Sequence, residues 1–350
     1  MRDLAVVIVS TNEAQWLRRC LPTVFGAADG LDLDVVVVDN GSGDDTRAVV
    51  EAEFPRARVV DSENHGFAHA NNRALMTVDA RFVLFLNPDT EIVEGRFADL
   101  LARMEDLPRV GLAGCRQLMP DGELYPSMRR FPTPTRLVCE ALGAERWPFR
   151  ASWTGQRELD EARYAGEFEL DWTSGSFMLA RREALESAGW LDERFFLYCD
   201  DPDLGLRVRR AGWTVRHLPQ MCIVHHAEKM GWSARGHAQF AYAYRLYFAK
   251  HGGRLERRAA VAAVAAGYGL RALVFPVLRR SEPDAARAMR AALRTVLGRG
   301  GAPYEPPPAV AVRRRSVAED AAQAFVYQSA VAAIPPARPP TDRRATPAGP

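Results

Sequence analysis

Short apolar runs rich in valine alternate with helix-like segments over the first third of the chain, and this alternation is the strongest constraint on the fold. The runs have strand length and stand in the order LAVVIVS (4–10), DVVVVDN (34–40), ARVVDS (57–62) and RFVLFLN (81–87). Residues 13–25 and 44–54, which lie between runs, have apolar residues at helical spacing. Near-continuous apolar strands joined by helices are typical of a parallel sheet covered on both faces. We therefore predict an α/β fold of the nucleotide-binding type.

Polar clusters directly follow the strand-like runs. They are Ser10–Glu13, Asp39–Ser42, Asn64–Phe67 and Asn87–Asp89. Any one of them could be a turn with a helix N-cap, because serine, threonine, aspartate and asparagine are favoured there. Four clusters on one edge of one sheet are better explained by a ligand site, which open α/β sheets form at the carboxyl ends of their strands.

The remainder of the chain divides by composition. Prolines interrupt residues 115–170, which we interpret as a long excursion around a site. Ordered patterns resume over 172–185 and 195–213, and an aromatic-rich helix is predicted over 237–250. We place a catalytic domain at 1–253, basic amphipathic helices at 254–300, and a Pro/Ala/Arg-rich, disordered tail at 301–350.

Charge and cysteine content narrow the function class. The 350 residues include 46 basic and 44 acidic ones, so the formal net charge of +2 argues against a nucleic-acid-binding protein. Five scattered cysteines without a CxxC pair indicate neither a disulfide framework nor a zinc site. The N-terminus turns polar too soon for a signal peptide. We therefore expect a cytoplasmic protein.

Six motifs carry a resemblance to a known family. In chain order they are VVIVSTNEAQWLRRCL, VVVVDNGSGDDT, NHGFAHANN, LFLNPDT, GSFMLARREAL and FFLYCDDPDLGLRVRRAGW. The chain resembles family 2 inverting glycosyltransferases over roughly residues 4–250, and most of all the rhamnosyltransferase-like subset that builds bacterial cell-surface polysaccharide. The resemblance implies a GT-A type domain that binds a nucleotide sugar on a mixed, mostly parallel central sheet.

By resemblance, the first three clusters would bind the nucleotide of a dTDP- or UDP-sugar donor. Thr11 and Glu13 would line the pocket for base and ribose. Asp39 would accept the base N3–H, which selects a pyrimidine imide over cytosine. Asn64 belongs to the third of these donor-binding clusters.

The fourth cluster, which includes Asn87, stands where family 2 enzymes have a metal-binding acidic motif. By resemblance, Asp89 would ligate Mg²⁺ or Mn²⁺ on the donor pyrophosphate. Many relatives have aspartate where this chain has Asn87, so one charge is lost. His225 would complete the metal site, and His226 is the adjacent alternative.

A second acidic group, CDDPD at 199–203, would supply the catalytic base. Inversion requires a base near the acceptor hydroxyl, and paired acids suit this role because their mutual repulsion raises one pKa. By resemblance Asp201 is that base, and Asp200 replaces the usual glutamate. With Asp200, the residues Asp171, Trp172 and Gly175 would shape the pocket for the sugar and a glycan or lipid-linked acceptor.

Residues 254–300 lie beyond the resemblance. They contain ten arginines and three acidic residues, with a nearly uncharged stretch from Ala259 to Leu278. Its central Arg271 and many alanines make spanning a bilayer marginal, so we expect helices that either pack on the catalytic domain or lie peripherally on the inner face of an anionic membrane.

Two other functions stay open at this stage. One is a catalytically inactive protein that binds sugar nucleotides or acts as a scaffold, which Asn87 would favour. The other is a phosphatase-like α/β hydrolase with Asp39 as nucleophile, although Gly41 stands where that chemistry needs a second acid.

Overall fold

The chain folds around one mixed β-sheet with helices on both sides. The computed structural model describes residues 1–28, 30–144, 153–227, 233–278 and 282–304. Contacts group residues 1–309 into one unit. Of the tail predicted over 301–350, only residues 301–304 are among the described residues.

Strands and helices alternate from β1 to β4, and the later elements are less regular. The strands are β1 (Arg2–Ser10), β2 (Leu33–Asn40), β3 (Ala57–Ser62), β4 (Ala80–Leu86), β5 (Thr90–Glu94), β6 (Val110–Leu118), β7 (Met128–Arg129), β8 (Phe168–Leu170), β9 (Trp172–Thr173), β10 (Phe177–Arg181) and β11 (Thr214–His225). The helices are α1 (Ala14–Gly26), α2 (Thr46–Glu53), α3 (Phe67–Leu75), α4 (Phe97–Asp106), α5 (Pro134–Ala141), α6 (Arg182–Ala188), α7 (Asp200–Arg210), α8 (Ala234–His251), α9 (Arg254–Leu278) and α10 (Pro283–Val296).

The central sheet has the strand order β3-β2-β1-β4-β10-β6-β11-β5, with β8 beside β11. Strands β1 to β4 are parallel, as are β6 and β11, while β10 runs antiparallel to both of its neighbours. This confirms the predicted α/β fold and its mixed, mostly parallel sheet. The four predicted strands and the two predicted helices of the first half are all present.

Alternate residues of the strands face two separate cores. One joins the sheet to α1 and α4, and the other joins it to α3, α6 and α7. Along β1, for example, Val6 faces the first core and Val7 the second, and both are fully buried. Burial on both faces explains why these strands read as continuous apolar runs.

The segment predicted as an excursion begins within the sheet. Residues 115–118 belong to β6, and only the residues after them leave it. Its described part then contributes helix α5 and two strands: β7, which pairs with β9 in a small separate sheet, and β8, which returns to the central sheet beside β11. A third core joins α5 to α8, α9 and α10 and includes Phe195 and Cys199.

A buried ion cluster fastens α7 to α8. Asp203 is fully buried and contacts Lys250 at 2.5 Å, His251 at 2.6 Å and Arg207 at 2.8 Å. Burial alone would raise the pKa of Asp203, but the hydrogen bond to His251 and the charges of Arg207 and Lys250 outweigh it and lower that pKa. Asp203 is thus an anchor for α7.

Removing that anchor should destabilise the protein. We expect Asp203→Ala to lower the free energy of unfolding by about 3–5 kcal/mol, because it leaves buried cations without their partner. The matched control is Asp284→Ala, which breaks an exposed pair with Arg287 and should cost less than about 1 kcal/mol. Equilibrium urea denaturation measures both, and equal losses would contradict the anchoring role.

Candidate active site

The strand ends bring the predicted polar clusters to one edge of the sheet. Ser10 at the end of β1 pairs with Asp39 of β2, and Asn40 pairs with Ser62 at the end of β3. Because these strands are parallel, their carboxyl ends share an edge. Strand β10 begins at the same edge, where the Asn87 N–H donates to the Ser176 carbonyl at 3.0 Å.

Hydrogen bonds link the residues predicted to hold the nucleotide. The Asn40 side-chain amide donates to Asn64 Oδ1 at 3.1 Å and to Thr11 Oγ1 at 3.4 Å. Glu13 accepts the Thr11 N–H at 3.2 Å, and Asp39 accepts the Ser42 N–H at 2.9 Å. The structure therefore brings Thr11, Glu13 and Asn64 together around the end of β2.

Asp89 and His225 meet although 136 positions separate them in the chain. Strand β11 pairs with β5 so that His225 lies opposite Thr90. His225 Nε2 is then 3.4 Å from Asp89 Oδ1 and 3.5 Å from the Asn87 amide nitrogen. One carboxylate and one imidazole converge, with a neutral amide beside them.

The neighbouring His226 is directed elsewhere. Its Nε2 lies 2.5 Å from Glu91 Oε1, and its ring packs against Trp16 at a centroid distance of 4.7 Å. Of the two histidines named by the sequence, His225 is the one that faces Asp89.

A cavity of about 360 Å³ extends from Asn87 and His225 to the acids of α7. Asn87 and His225 line it, as do Asp200 and Asp201. Its other lining residues include Tyr125, Arg129, Gln156, Trp172, Gly175 and Tyr244. The cavity thus connects the two groups of polar residues that the sequence singled out.

A strained turn presents the two acids. Tyr198 and Cys199 both have positive φ, at 68° and 60°, which non-glycine residues adopt at a cost of order 1–3 kcal/mol each. Helix α7 starts directly afterwards with Asp200 and Asp201. The Gly175 N–H donates to Asp201 Oδ2 at 3.3 Å, which fixes the carboxylate against the start of β10.

The two acids have raised pKa values. Burial raises the pKa of Asp201 to about 6, against the opposing effects of Arg129 and the Gly175 N–H. Burial and the neighbouring Asp201 charge raise the pKa of Asp200 well above its ordinary value. A pKa of about 6 suits Asp201 to take up a proton near neutral pH, as a general base should.

Arg129 is the nearby positive charge. Its guanidinium carbon lies 5.3 Å from the centroid of the Trp172 ring, and its charge lowers the pKa of Asp201. On another wall, Gln156 donates to the Tyr244 hydroxyl at 2.9 Å and to Glu140 at 2.9 Å. These contacts give the cavity polar and aromatic walls.

Asp171 does not line the cavity as predicted. Its Oδ2 accepts the Phe131 N–H at 2.8 Å, whereas the adjacent Trp172 does line the cavity. Asp171 lies in the bend between β8 and β9, and its hydrogen bond to the Phe131 N–H directs the carboxylate to that backbone. Asp171 instead holds the backbone that follows β7.

Comparison with known proteins identifies the family. The family model described as "Glycosyl transferase family 2" matches residues 5–187, just over half of the chain. The chain belongs to glycosyltransferase family 2. Asp201 and His225 lie beyond the matched range, so their roles rest on other observations.

Relatives of this glycosyltransferase include proteins named as rhamnosyltransferases. The N-acetylglucosaminyl-diphospho-decaprenol L-rhamnosyltransferase of Mycobacterium tuberculosis is 33% identical over 235 residues, which are 64% of this chain and 76% of that protein. Rhamnosyltransferase WbbL of Escherichia coli is 23% identical over 231 residues, 63% of this chain and 83% of that one.

A solved structure supports the GT-A type fold of the glycosyltransferase. The mannosyltransferase PcManGT from Pyrobaculum calidifontis, in complex with GDP-Man and Mn²⁺, aligns with a TM-score of 0.50 and 19% identity. The alignment covers 86% of this chain and 90% of that chain.

The residues at the edge of the sheet suit a divalent metal ion. Carboxylate and imidazole atoms 3.4 Å apart can bind one ion between them. Among the described residues no group of three or more His, Cys, Asp or Glu side chains forms a metal site.

Sequence reasoning missed Arg129, Gln156 and Tyr244. The first two lie in the proline-interrupted segment that the sequence did assign to the surroundings of a site, and Tyr244 lies in the predicted aromatic helix. No motif distinguishes them individually, because long-range packing places them at the cavity.

With Asp201 as the predicted base, the glycosyltransferase should lose turnover in acid with a midpoint near the Asp201 pKa of about 6, because a base acts only when deprotonated. Arg129→Ala removes the positive charge that lowers this pKa, so the acid limb of the kcat profile should move to higher pH. Arg129→Lys keeps the charge and should move it less. An unchanged acid limb in Arg129→Ala would show that Arg129 does not set the Asp201 pKa.

Proposed function

We propose that the protein is an inverting, metal-dependent glycosyltransferase that moves one sugar onto a glycan or lipid-linked acceptor in the synthesis of cell-envelope polysaccharide. The observation that carries this proposal is the cavity that joins His225, which faces Asp89, to Asp201. Our best assignment of the donor is a dTDP-sugar, with rhamnose as the sugar, which the names of the relatives support. A UDP-sugar is the other donor that the nucleotide residues suit.

The nucleotide would bind across the ends of β1, β2 and β3. Asp39 would accept the N3–H of thymine or uracil, and Thr11 and Glu13 would contact the base and ribose. Asn64, held by Asn40, completes this side. These are neutral or acidic groups, so the diphosphate would be bound farther along the edge, near Asn87.

Asp89 and His225 would hold Mg²⁺ or Mn²⁺. When bound, the ion neutralises charge on the departing nucleoside diphosphate. The charge that Asn87 lacks is not supplied by His225, which contributes a neutral nitrogen ligand. We therefore expect the site to depend on donor phosphates for much of its affinity.

Asp201 would act as the general base on the acceptor. Its ionised carboxylate removes the proton of the acceptor hydroxyl, whose oxygen attacks the anomeric carbon as the bond to the diphosphate breaks. Attack on the face opposite the leaving group inverts the anomeric configuration. The Gly175 N–H holds Asp201, and burial beside the Asp201 charge raises the pKa of Asp200 as well.

Trp172, Gly175 and the other lining residues would form the pocket for the sugar and the acceptor. A lipid-linked acceptor would be presented at a membrane, so we propose that the enzyme works in the cytoplasm at the inner membrane face. The family assignment decides against the phosphatase-like hydrolase. A catalytically inactive binding protein is disfavoured because the Asp89–His225 pair and an Asp201 of raised pKa are both present.

Replacing the base should separate chemistry from binding. Asp201→Asn should lower turnover by at least ~10²-fold, the low end of general-base contributions, and leave nucleoside diphosphate binding nearly unchanged. Transfer from a panel of dTDP- and UDP-sugars measures turnover, and proton NMR of the product gives the anomeric configuration.

Asp171→Asn is the matched control for this change. It alters an acid near the cavity in the same way, but one whose carboxylate contacts the Phe131 backbone. It should retain most turnover. Near-normal transfer by Asp201→Asn, or a product of retained configuration, would overturn the assigned mechanism.

Metal affinity should respond in opposite directions to two changes at the same edge. Asp89→Ala removes a ligand and should weaken binding of Mn²⁺ with nucleoside diphosphate. Asn87→Asp adds a second carboxylate and should tighten it, because hard divalent ions prefer charged oxygen ligands. Isothermal titration calorimetry measures both, and unaltered affinity in Asp89→Ala would place the metal elsewhere.

A further inference from the structure

Helix α9 has one buried face and one exposed apolar face. Its buried face packs against α5, α8 and α10 through Ala260, Ala263, Val264, Gly267 and Tyr268. Residues three or four apart form the opposite face, which we call the apolar stripe: Leu255, Ala259, Ala262, Ala266, Leu270, Leu273 and Val277. All seven are exposed. A helix of a soluble domain normally places polar residues there.

The stripe concentrates the exposed apolar surface of the protein. Five of the thirteen large hydrophobic side chains that are exposed in the described part of the chain lie on α9. Leu255 and Leu273 are 80% and 78% exposed. Val138 and Leu142, on and just after the neighbouring α5, are exposed as well. A clustered apolar surface of this kind marks an interaction site.

The helix passes the length and composition test for crossing a membrane. It has 25 residues and a mean hydropathy of 1.8 in its most apolar window, and 17% of that window is buried. The buried face nevertheless belongs to the fold. A Cβ on Gly267 would lie 2.9 Å from Ala141 Cβ, and Arg271 donates to the Glu140 carbonyl at 3.5 Å. Crossing a bilayer would break these contacts, whereas lying on its surface preserves them.

Exposed arginines on α9 and on the adjacent α10 argue for one occupant of the stripe. Arg254, Arg257 and Arg258 are exposed at the start of α9, and the neighbouring α10 exposes Arg287, Arg290 and Arg294. A second copy of the chain would bring the same excess of arginines and few acids to pair with them. Anionic lipid headgroups match both features, since they attract arginine and border an apolar layer.

We propose that α9 is a membrane-docking helix that lies along an anionic lipid surface with its apolar stripe in the boundary between headgroups and acyl chains. The buried face of α9 shares a core with Cys199 and Tyr244, which line the cavity. The docked surface would therefore be one helical layer from the candidate active site. The purpose of docking, access to a lipid-linked acceptor, rests on the proposed function, but the docking itself does not.

The test is flotation of the full chain with phosphatidylcholine vesicles, with and without phosphatidylglycerol. The parent should float only with the anionic vesicles, and salt should weaken binding. Leu273→Glu with Val277→Glu places charges on the stripe at exposed positions, so the fold should persist, and the partition coefficient should fall at least ~10-fold. Val93→Glu, the same change at a half-exposed residue of β5, is the matched control and should bind like the parent.

Three results would overturn the inference. The first is that the parent protein does not float with anionic vesicles. The second is that the double variant binds these vesicles as well as the parent does. The third is that the parent is a dimer and the double variant a monomer, while vesicles bind neither. Transfer to a water-soluble acceptor separates this failure from that of the proposed function. Normal transfer without flotation would refute docking alone, and flotation without transfer from any donor would refute the proposed function alone.

Discussion

The antiparallel pairing of β4 with β10 is the constraint on which the site depends. Phe177 lies opposite Leu86, and the Asn87 N–H binds the Ser176 carbonyl just beyond the last pair. This pairing brings a segment from the second half of the chain to the edge where the parallel strands end. Gly175, the residue before Ser176, then donates its N–H to the Asp201 carboxylate. Without the inserted strand, donor and acceptor residues would have no common cavity.

The three aspartates in the first turn of helix α7 have differently shifted pKa values because their surroundings differ. Asp203 is buried among cations and has a lowered pKa, so it stabilises the fold. Asp200 and Asp201 precede it, away from those cations, and have raised pKa values. The anchor and the strained turn at Cys199 together fix the start of the helix. The ion pairs of Asp203 thus stabilise the helix whose first residues, Asp200 and Asp201, line the cavity.

Features of the fold that depend on local sequence pattern could be predicted from the sequence. The valine-rich strands and the polar residues that follow them could be read directly, so Asp39 and Asp89 were expected at the sheet edge. It could not show that β10 inserts in the antiparallel direction, or that Arg129 reaches the cavity, because both depend on contacts between distant segments. Asp171 was misplaced for a simpler reason. It lies in the bend before the two-residue strand β9, where no alternating pattern indicates which side chain faces the cavity.

The central claim is that the nucleotide-sugar diphosphate and a divalent ion bind at the Asp89–His225 end of the cavity that also contains Asp201. Anomalous diffraction from crystals soaked with Mn²⁺ and a nucleoside diphosphate tests this most directly. The account predicts one Mn²⁺ peak in contact with Asp89 and His225, with the base against Asp39 at the end of β2. A Mn²⁺ peak at Asp200 and Asp201, or a nucleotide bound away from the ends of β1 and β2, would contradict it.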